Sequence, residues 1–293
     1  MQNGEARYIM LTIDYNKNRG RKVVIDTHVH IFPDKLCPKT IENLAVTDPQ
    51  NPLTYYGDGS LAAAEKNMVA WGVDLGVIVP IATRPGQEKS INGFAAQAQH
   101  ESDYFVAFGS VHPDSEDFED ILDQIMALGL HGIKLHPDYQ GFFINEKRLW
   151  PLYAAISERQ LPVVFHTGYD PVSPGKIHAD PLMVREVAEA FPNMTIIAAH
   201  TGGLYFYDGP RTVYMDTPNV YFDTAIASLT YRDTPQDYRA LIDLYGAERF
   251  VFATDNPWGN GKIDQKFLRE AVGVTDEEWQ AISHQNAQRL IQL

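Results

Sequence analysis

The stretch that decides the fold is Val23-Val-Ile-Asp-Thr-His-Val-His30, a short apolar run that ends in two histidines. Continuous Val and Ile residues indicate a β-strand that is buried on both faces, as the parallel strands of α/β proteins are. A dinucleotide-binding sheet would place a Gly-rich turn after its first strand, and no G-x-G-x-x-G follows this one. The stretch therefore predicts an α/β fold of another kind, with polar side chains at the carboxyl end of its first strand.

Similar apolar runs recur along the chain and alternate with segments of helical periodicity. The further predicted strands are residues 75–81, 105–111, 132–135, 162–165, 195–199, 220–222 and 250–253. The predicted helices between them are residues 60–71, 91–101, 116–128, 146–159, 181–191 and 235–245. Eight alternating strands leave two architectures, a closed (β/α)₈ TIM barrel and an open doubly wound sheet. The 293 residues suit the barrel, which takes about 250 residues or more.

The expected organisation is an N-terminal tail over residues 1–22 and a single barrel domain over residues 23–293. Residues 32–59 are polar and contain four prolines, which predicts an extended loop over the site. Near the carboxyl terminus, Thr275-Asp-Glu-Glu278 has the capping-box pattern of a helix start.

Composition narrows the classes of function. A formal net charge of -14 argues against general affinity for nucleic acid, which needs clustered Lys and Arg. Cys37 is the only cysteine, so a thiolate zinc site and an intramolecular disulfide are excluded. The sequence contains no apolar run of about 18 residues, the length that a membrane span requires, and its first 22 residues are too polar for a signal peptide. We therefore expect a cytoplasmic protein that acts on a small molecule, and homo-oligomerisation stays open.

Five histidines fall at or just beyond the carboxyl ends of predicted strands. They are His28, His30, His136, His166 and His200. The carboxyl ends of the strands in a parallel barrel meet at one rim, so side chains that are distant in sequence converge there.

These histidines predict a metal site. His28 and His30 are two residues apart on a strand and project to the same face. His166 supplies a third nitrogen, and Asp255, after the last strand, supplies a carboxylate. A lone strand-end histidine is more often structural, but this combination favours one divalent cation. Nitrogen and oxygen ligands suit Zn²⁺, and Mn²⁺, Fe²⁺ and Co²⁺ are alternatives.

The chain resembles the amidohydrolase superfamily, and within it the amidohydrolase-related branch that includes aminocarboxymuconate semialdehyde decarboxylase. The matching motifs are Ile25-Asp-Thr-His-Val-His-Ile-Phe-Pro33, Gly132-Ile-Lys-Leu-His-Pro137, Phe165-His-Thr-Gly168, Ala199-His-Thr-Gly-Gly203 and Ala253-Thr-Asp-Asn-Pro-Trp258. The resemblance implies that His28, His30 and His166 bind the metal. It also implies that Asp255 binds the metal and exchanges a proton, while His200 polarises or protonates the reacting group. A role for His200 as a further nitrogen ligand is the alternative.

The fourth predicted strand carries two more candidates. Lys134 and His136 lie on one face of it and are predicted to bind substrate. In some superfamily members a lysine here is carboxylated and bridges two metals, whereas one metal is the rule in the branch that the chain resembles. A lysine paired with an internal acid is the structural alternative. Trp258 is predicted to form an apolar wall of the pocket, and Asp26 to orient a ligating imidazole or to make a strand-end hydrogen bond.

The favoured function is a metal-dependent hydrolase that uses activated water on a lactone, amide or ester, with Asp255 as general base. A nonoxidative decarboxylase of a small carboxylic acid would use the same residues. A barrel that binds a metal or a small molecule without catalysis is the alternative from another class.

Overall fold

The computed structural model describes residues 23–45, 54–171, 173–206 and 210–293. The tail predicted for residues 1–22 lies outside these ranges. No helix in the described ranges is both long enough and apolar enough to cross a lipid bilayer.

Parallel strands form the centre of the molecule. The strands are β1 (Ile25–Val29), β2 (Leu75–Ile78), β3 (Phe105–Ala107), β4 (Gly109–Ser110), β5 (Ile133–Leu135), β6 (Val163–Phe165), β7 (Ile196–Ala198), β8 (Val220–Asp223) and β9 (Phe250–Val251). They pair in chain order, β1 to β3 in one sheet and β4 to β9 in a second. Because β3 and β4 are separated only by Phe108, they are two parts of one barrel strand, and the described segments make eight barrel strands.

Backbone hydrogen bonds close these strands into a barrel. The amide of Phe108 donates to the carbonyl of Ile78 at 2.9 Å, which joins the β3–β4 strand to β2. On the other side, the amide of Thr27 donates to Phe252 at 2.9 Å and that of His30 donates to Asn256 at 2.7 Å. The last strand therefore pairs with the first. The closed barrel is confirmed, and the open-sheet alternative is wrong.

Helices surround the barrel and follow its strands. The longer ones are α1 (Cys37–Ala45), α2 (Leu61–Trp71), α3 (Glu88–Glu101), α4 (Phe118–Ala127), α6 (Trp150–Glu158), α7 (Pro181–Ala190) and α11 (Pro235–Tyr245). The short ones are α5 (Pro137–Gln140), α8 (Ala199–Gly202), α9 (Pro210–Val213), α10 (Ala227–Thr230), α12 (Gly261–Lys266), α13 (Asp276–Gln280) and α14 (Asn286–Leu290). Two 3₁₀ turns, Lys147–Leu149 and Ala247–Arg249, and two π-helical turns, Phe267–Val272 and Ala281–Gln285, complete the layer.

The predicted elements are confirmed with shifted ends. Most strands are shorter than predicted. Helix α3 begins at Glu88 rather than at residue 91. The capping box is confirmed: the Thr275 hydroxyl accepts from the Glu278 amide, and the Glu278 carboxylate accepts from the Thr275 amide.

Part of the predicted loop over residues 32–59 is wrong. Its first half contains α1, whose residues Cys37, Ile41 and Ala45 are buried along one face. Burial of that apolar face outweighs the turn-forming residues around it. Residues 46–53 lie outside the described ranges.

Two buried apolar layers stabilise the barrel. The larger lies between strands and helices and includes Ile133, Leu135, Val163 and Phe165. The smaller lies inside the barrel, where alternate residues of the strands meet. Its members include Val77, Val106, Val164, Ile197, Val251, Leu290 and Ile291. The polar residues of the site stand above this inner layer.

Candidate functional site

Polar side chains replace the apolar inner layer at the carboxyl ends of the strands. On β6, Val164 lies in the inner layer, and His166 follows two residues later on the same side. On the last strand, Val251 is in the inner layer and Asp255 follows it. The first strand has a register shift against β2 between Asp26 and Val29, which sets the positions of the two histidines at its end.

His28, His30 and Asp255 form a compact triad. The Nε2 atoms of His28 and His30 are 3.1 Å apart. Asp255 Oδ1 lies 3.5 Å from Nε2 of His28 and 3.3 Å from Nε2 of His30. Tetrahedral ligands at 2.0–2.2 Å from one ion stand about 3.4 Å from each other. The three atoms therefore have the spacing that a single small divalent cation requires.

Asp223 orients the ring of His28. Its Oδ2 accepts a hydrogen bond from Nδ1 of His28 at 2.7 Å. Its Oδ1 accepts from the amides of His200 and Ala225 at 2.7 and 3.1 Å. With Nδ1 as the donor, Nε2 of His28 carries the lone pair toward the triad. Sequence reasoning missed Asp223, although a carboxylate at the end of an apolar strand is the same signal that identified Asp255.

Asp26 does not orient an imidazole. Its Oδ1 accepts from the amides of His28 and Thr254 at 3.1 and 3.0 Å, and its Oδ2 accepts from the Thr254 hydroxyl at 2.6 Å. Of the two interpretations of Asp26, the strand-end hydrogen bond is the one found. This carboxyl ties the ends of the first and last strands together, so it fixes the spacing between His28 and Asp255.

His166 lies beside the triad rather than within it. Its Nδ1 is 3.1 Å from Nε2 of His200, and its Nε2 is 3.2 Å from the carbonyl oxygen of Tyr169. Its ring stacks on that of His136 with the centroids 4.2 Å apart and the planes 8° apart. His166 thus contacts two other predicted site residues, His136 and His200. The three rings form a second wall of the site.

A glycine lets the loops that carry His166 and His200 approach each other. Gly168 has φ +91°, and a Cβ there would lie 2.1 Å from the amide nitrogen of Leu204. In addition, the Thr167 hydroxyl donates to the carbonyl of Ala199 at 2.5 Å. Only a residue without a side chain permits this backbone packing.

A second group of potential ligands contains His136, His166 and Asp170. Asp170 Oδ2 lies 3.6 Å from Nε2 of His136 and 3.7 Å from Nε2 of His166. Because the two rings are nearly parallel, their in-plane lone pairs do not converge on one point. The group therefore suits hydrogen bonding better than metal binding. Sequence reasoning also missed Asp170 and Tyr139, whose ring stacks on His136 with the centroids 3.8 Å apart.

Lys134 is completely buried beneath the triad, with 0% of its surface exposed. Its Nζ lies 3.0 Å from Nε2 of His28. Within the described ranges no carboxylate oxygen forms an ion pair with Nζ, so the predicted alternative of a lysine paired with an internal acid is not found. Burial lowers the pKa of Lys134 to about 8, against the opposing charges of Asp223, Asp255 and Asp170.

Three residues of the site have left-handed backbone conformations, which cost free energy for any residue other than glycine. They are His200 (φ 55°), Thr201 (φ 59°) and Asp255 (φ 64°). Such conformations cost about 1–3 kcal/mol each and concentrate at functional sites. Nδ1 of His200 is buried and has no hydrogen-bond partner in the described part of the chain. A buried donor or acceptor without a partner is available to a ligand.

The protonation of the site suits a cation. Burial lowers the pKa of His28, His136 and His166 well below the usual value, so these rings are neutral and keep a lone pair. Burial acts to raise the pKa of Asp255, but the imidazoles around it outweigh this and lower it. Neutral nitrogens beside an ionised carboxylate are the ligand chemistry of Zn²⁺ and similar ions.

Trp258 lies near the mouth of the site. Its amide donates to the carbonyl of Asp255 at 2.7 Å, and its indole is half-buried. The ring of Tyr55 meets it edge to face, with the centroids 6.4 Å apart. These two residues form an aromatic edge next to the triad.

Solved structures with the same fold include proteins of different function. An uncharacterised TIM-barrel protein from Bordetella bronchiseptica matches at 21% identity and a TM-score of 0.73, over 92% of this chain and 98% of that one. A putative 2-pyrone-4,6-dicarboxylic acid hydrolase from Pseudomonas putida matches at 18% and 0.65, over 93% and 98%. A 5-carboxyvanillate decarboxylase from Sphingomonas paucimobilis matches at 15% and 0.63, over 93% and 100%.

The sequence profile of the family described as Amidohydrolase matches residues 25–293, which is nearly all of the described chain. The family contains metal-dependent enzymes, both hydrolases and decarboxylases, that act on small molecules, so the non-catalytic alternative is set aside. The barrel, the triad of potential metal ligands and the profile agree, and the chain is an enzyme that belongs to the amidohydrolase family.

Proposed function

We propose that this enzyme is a metal-dependent hydrolase that adds water to the carbonyl carbon of a lactone, amide or ester. The observation that carries the proposal is the triad of His28, His30 and Asp255. Its three ligand atoms lie 3.1–3.5 Å apart at the mouth of a closed barrel, where the active sites of such barrels are found.

The triad would hold one divalent cation, with Zn²⁺ as the proposed ion and Mn²⁺, Fe²⁺ or Co²⁺ as alternatives. His166, which lies beside the triad, is the proposed fourth ligand: its Nε2 faces the carbonyl oxygen of Tyr169, so Nδ1 is the nitrogen that would bind the ion. When bound, such an ion polarises carbonyl oxygens and lowers the pKa of water toward about 7. Asp223 keeps Nε2 of His28 directed at the ion through its hydrogen bond to Nδ1.

Asp255 is the proposed general base. Its carboxylate is ionised and 13% exposed at the side chain, so it can accept a proton from water at the open side of the triad. His200 is proposed to polarise the carbonyl group or protonate the leaving group. Its unpartnered Nδ1 and its strained backbone support that role.

Three further residues are proposed to bind substrate. Lys134 and His136 project from the same strand toward the site, the first next to His28 and the second next to Asp170. Trp258 would cover an apolar part of the substrate together with Tyr55. This combination suits a small molecule with a planar apolar portion and a polar reacting group.

Nonoxidative decarboxylation is the second candidate, favoured by the likeness to a barrel described as a 5-carboxyvanillate decarboxylase. Here Asp255 would take a proton from a substrate hydroxyl or from water and pass it to the carbon, while the bond from that carbon to the carboxylate breaks and carbon dioxide leaves. The same residues would hold the substrate, so the distinction lies in the fate of water.

A substrate panel separates the two candidates. Lactones, esters and amides would be incubated in ¹⁸O-labelled water and followed by mass spectrometry, and hydroxybenzoate-type acids would be followed by release of carbon dioxide. We expect incorporation of one ¹⁸O atom, which disappears in Asp255→Asn. It should persist in the control Asp233→Asn, at an exposed position between α10 and α11. Release of carbon dioxide without turnover of any carbonyl substrate would replace the first candidate by the second.

A further inference from the structure

His28 offers only one nitrogen to a cation. Its Nδ1 donates to Asp223 Oδ2 at 2.7 Å, and the other oxygen of Asp223 is occupied by the amides of His200 and Ala225. Asp223 therefore accepts from the ring and fixes its tautomer. The lone pair of the imidazole lies on Nε2, and an sp² nitrogen has only one such lone pair in the plane of the ring.

Lys134 already uses that lone pair. Its Nζ is 3.0 Å from Nε2 of His28. An ammonium group has three donors and no acceptor, so it donates to the ring nitrogen. Its side chain is fully buried, and no carboxylate in the described ranges lies at ion-pair distance from it. The imidazole of His28 is thus its hydrogen-bond partner.

A cation at the triad needs the same atom. Nε2 of His28 is 3.1 Å from Nε2 of His30 and 3.5 Å from Oδ1 of Asp255, so an ion between them would take the same single lone pair. The two occupants exclude each other, because one lone pair cannot serve both. The positive charge of the lysine also repels a divalent ion at this distance in a site from which water is largely excluded.

We propose that Lys134 is a built-in competitor for the metal: its ammonium group occupies Nε2 of His28, and a cation binds only by displacing it. This inference rests on the proposed metal site and adds a determinant of its affinity. The negative charges of Asp170, Asp223 and Asp255 around the pocket stabilise the displaced ammonium group. The apparent affinity for the ion is therefore lower than the triad alone would provide.

The test is metal binding by the full chain, without any substrate. Wild-type protein, Lys134→Met and Lys134→Gln would be freed of metal with a chelator and titrated with Zn²⁺ by isothermal calorimetry, with bound metal counted by mass spectrometry. Lys89→Met, at an exposed position on α3, is the matched control. Circular dichroism and thermal melting would establish that each variant is folded. Methionine preserves the length of the buried side chain and glutamine offers a neutral polar substitute, so at least one folded variant is expected.

We expect Lys134→Met to bind Zn²⁺ at least tenfold more tightly than wild type, Lys134→Gln to bind more tightly by a smaller factor, and Lys89→Met to equal wild type. Equal or weaker binding by both folded Lys134 variants would overturn the competition and leave the metal site standing. Absence of Zn²⁺ binding in wild type and in both variants would overturn the metal site itself. The two failures are therefore distinguishable.

Discussion

The two ends of the barrel interior are built from the same strands but have opposite chemistry. At the amino end, Val164, Ile197 and Val251 pack together with Leu290 and Ile291 from the last turn of the chain. At the carboxyl end, a few residues further along these strands, the inward positions carry imidazoles, carboxylates and one lysine. The amino end, which we call the lower end, has side chains that fill space. The carboxyl end, which we call the upper end, has groups that interact with charge.

Within the one barrel interior, the apolar layer stabilises the fold, whereas the polar layer supplies the groups of the site. The lower layer gains free energy because apolar surface is removed from water. The upper layer costs free energy, because Lys134 and Asp223 are buried and His200, Thr201 and Asp255 have left-handed backbones. An enzyme tolerates this cost where the strained and charged groups bind and act on a ligand.

The largest effect is expected from Asp255→Asn at the upper end. Removing the proposed general base, which is also a proposed metal ligand, should lower kcat/KM by about 10⁴-fold on the substrate found with the panel. The thermal midpoint should change little, because the amide fills the same volume. Steady-state kinetics and thermal melting measure the two quantities. A variant that keeps a tenth of the wild-type activity would remove Asp255 from the mechanism, and Asp233→Asn serves as the control.

A buried carboxyl outside the triad of His28, His30 and Asp255 should give the next largest effect. Burial raises the pKa of Asp264, on α12, from 3.8 to about 8, and the charge of nearby Asp26 acts in the same direction. Between about pH 4 and pH 8, the folded protein therefore keeps the proton on Asp264, whereas the unfolded chain has released it. Its stabilising contribution is fully present below pH 4 and is lost as the pH rises through 8.

Asp264→Asn cannot ionise, so it should gain stability relative to wild type as the pH rises. The gain should reach about 4 kcal/mol between pH 5 and pH 9. Urea denaturation at each pH measures it, with Asp233→Asn as an exposed control whose difference from wild type stays constant. A pH-independent difference for Asp264→Asn would mean that this carboxyl is ionised throughout the range.

Ile197→Ala tests the lower end. Truncation of this buried side chain should cost about 3 kcal/mol of unfolding free energy, through lost burial and a residual cavity. Zn²⁺ affinity should stay within about twofold of wild type, since the residue lies below the ligand layer. Ile263→Ala, at a position that is 50% exposed, should change stability by less than about 0.5 kcal/mol. Loss of metal binding in folded Ile197→Ala would mean that the two layers are not separable.

The smallest effect is expected from Asp223→Asn, which changes the hydrogen bond to Nδ1 of His28 without removing a ligand. An amide in place of the carboxylate weakens control of the ring's tautomer and should lower Zn²⁺ affinity about 10–100-fold. Calorimetric titration measures the change, and Asp233→Asn again provides the matched control. Unchanged affinity would show that the ring keeps its orientation without Asp223.

The sequence by itself determined the architecture and the groups available for chemistry. Alternating strands and helices predicted the barrel, because the periodicity of apolar residues follows from which face each element buries. The positions of His28, His30 and Asp255 at strand ends predicted that they meet, because carboxyl ends of parallel strands share one rim. Helix α1 was not predicted, because Pro38 and the polar residues around it obscure a short apolar face.

Only the tertiary structure decided which side chain contacts which. Strand alternation predicts that Lys134 points into the barrel, but it does not predict that its Nζ contacts His28. It also does not predict that Asp223, rather than Asp26, orients the His28 ring. His166 meets His136 and His200 instead of entering the compact triad. These pairings depend on the curvature of the barrel and on left-handed turns after the strands. Both arise from contacts between residues far apart in the chain, which local sequence patterns do not encode.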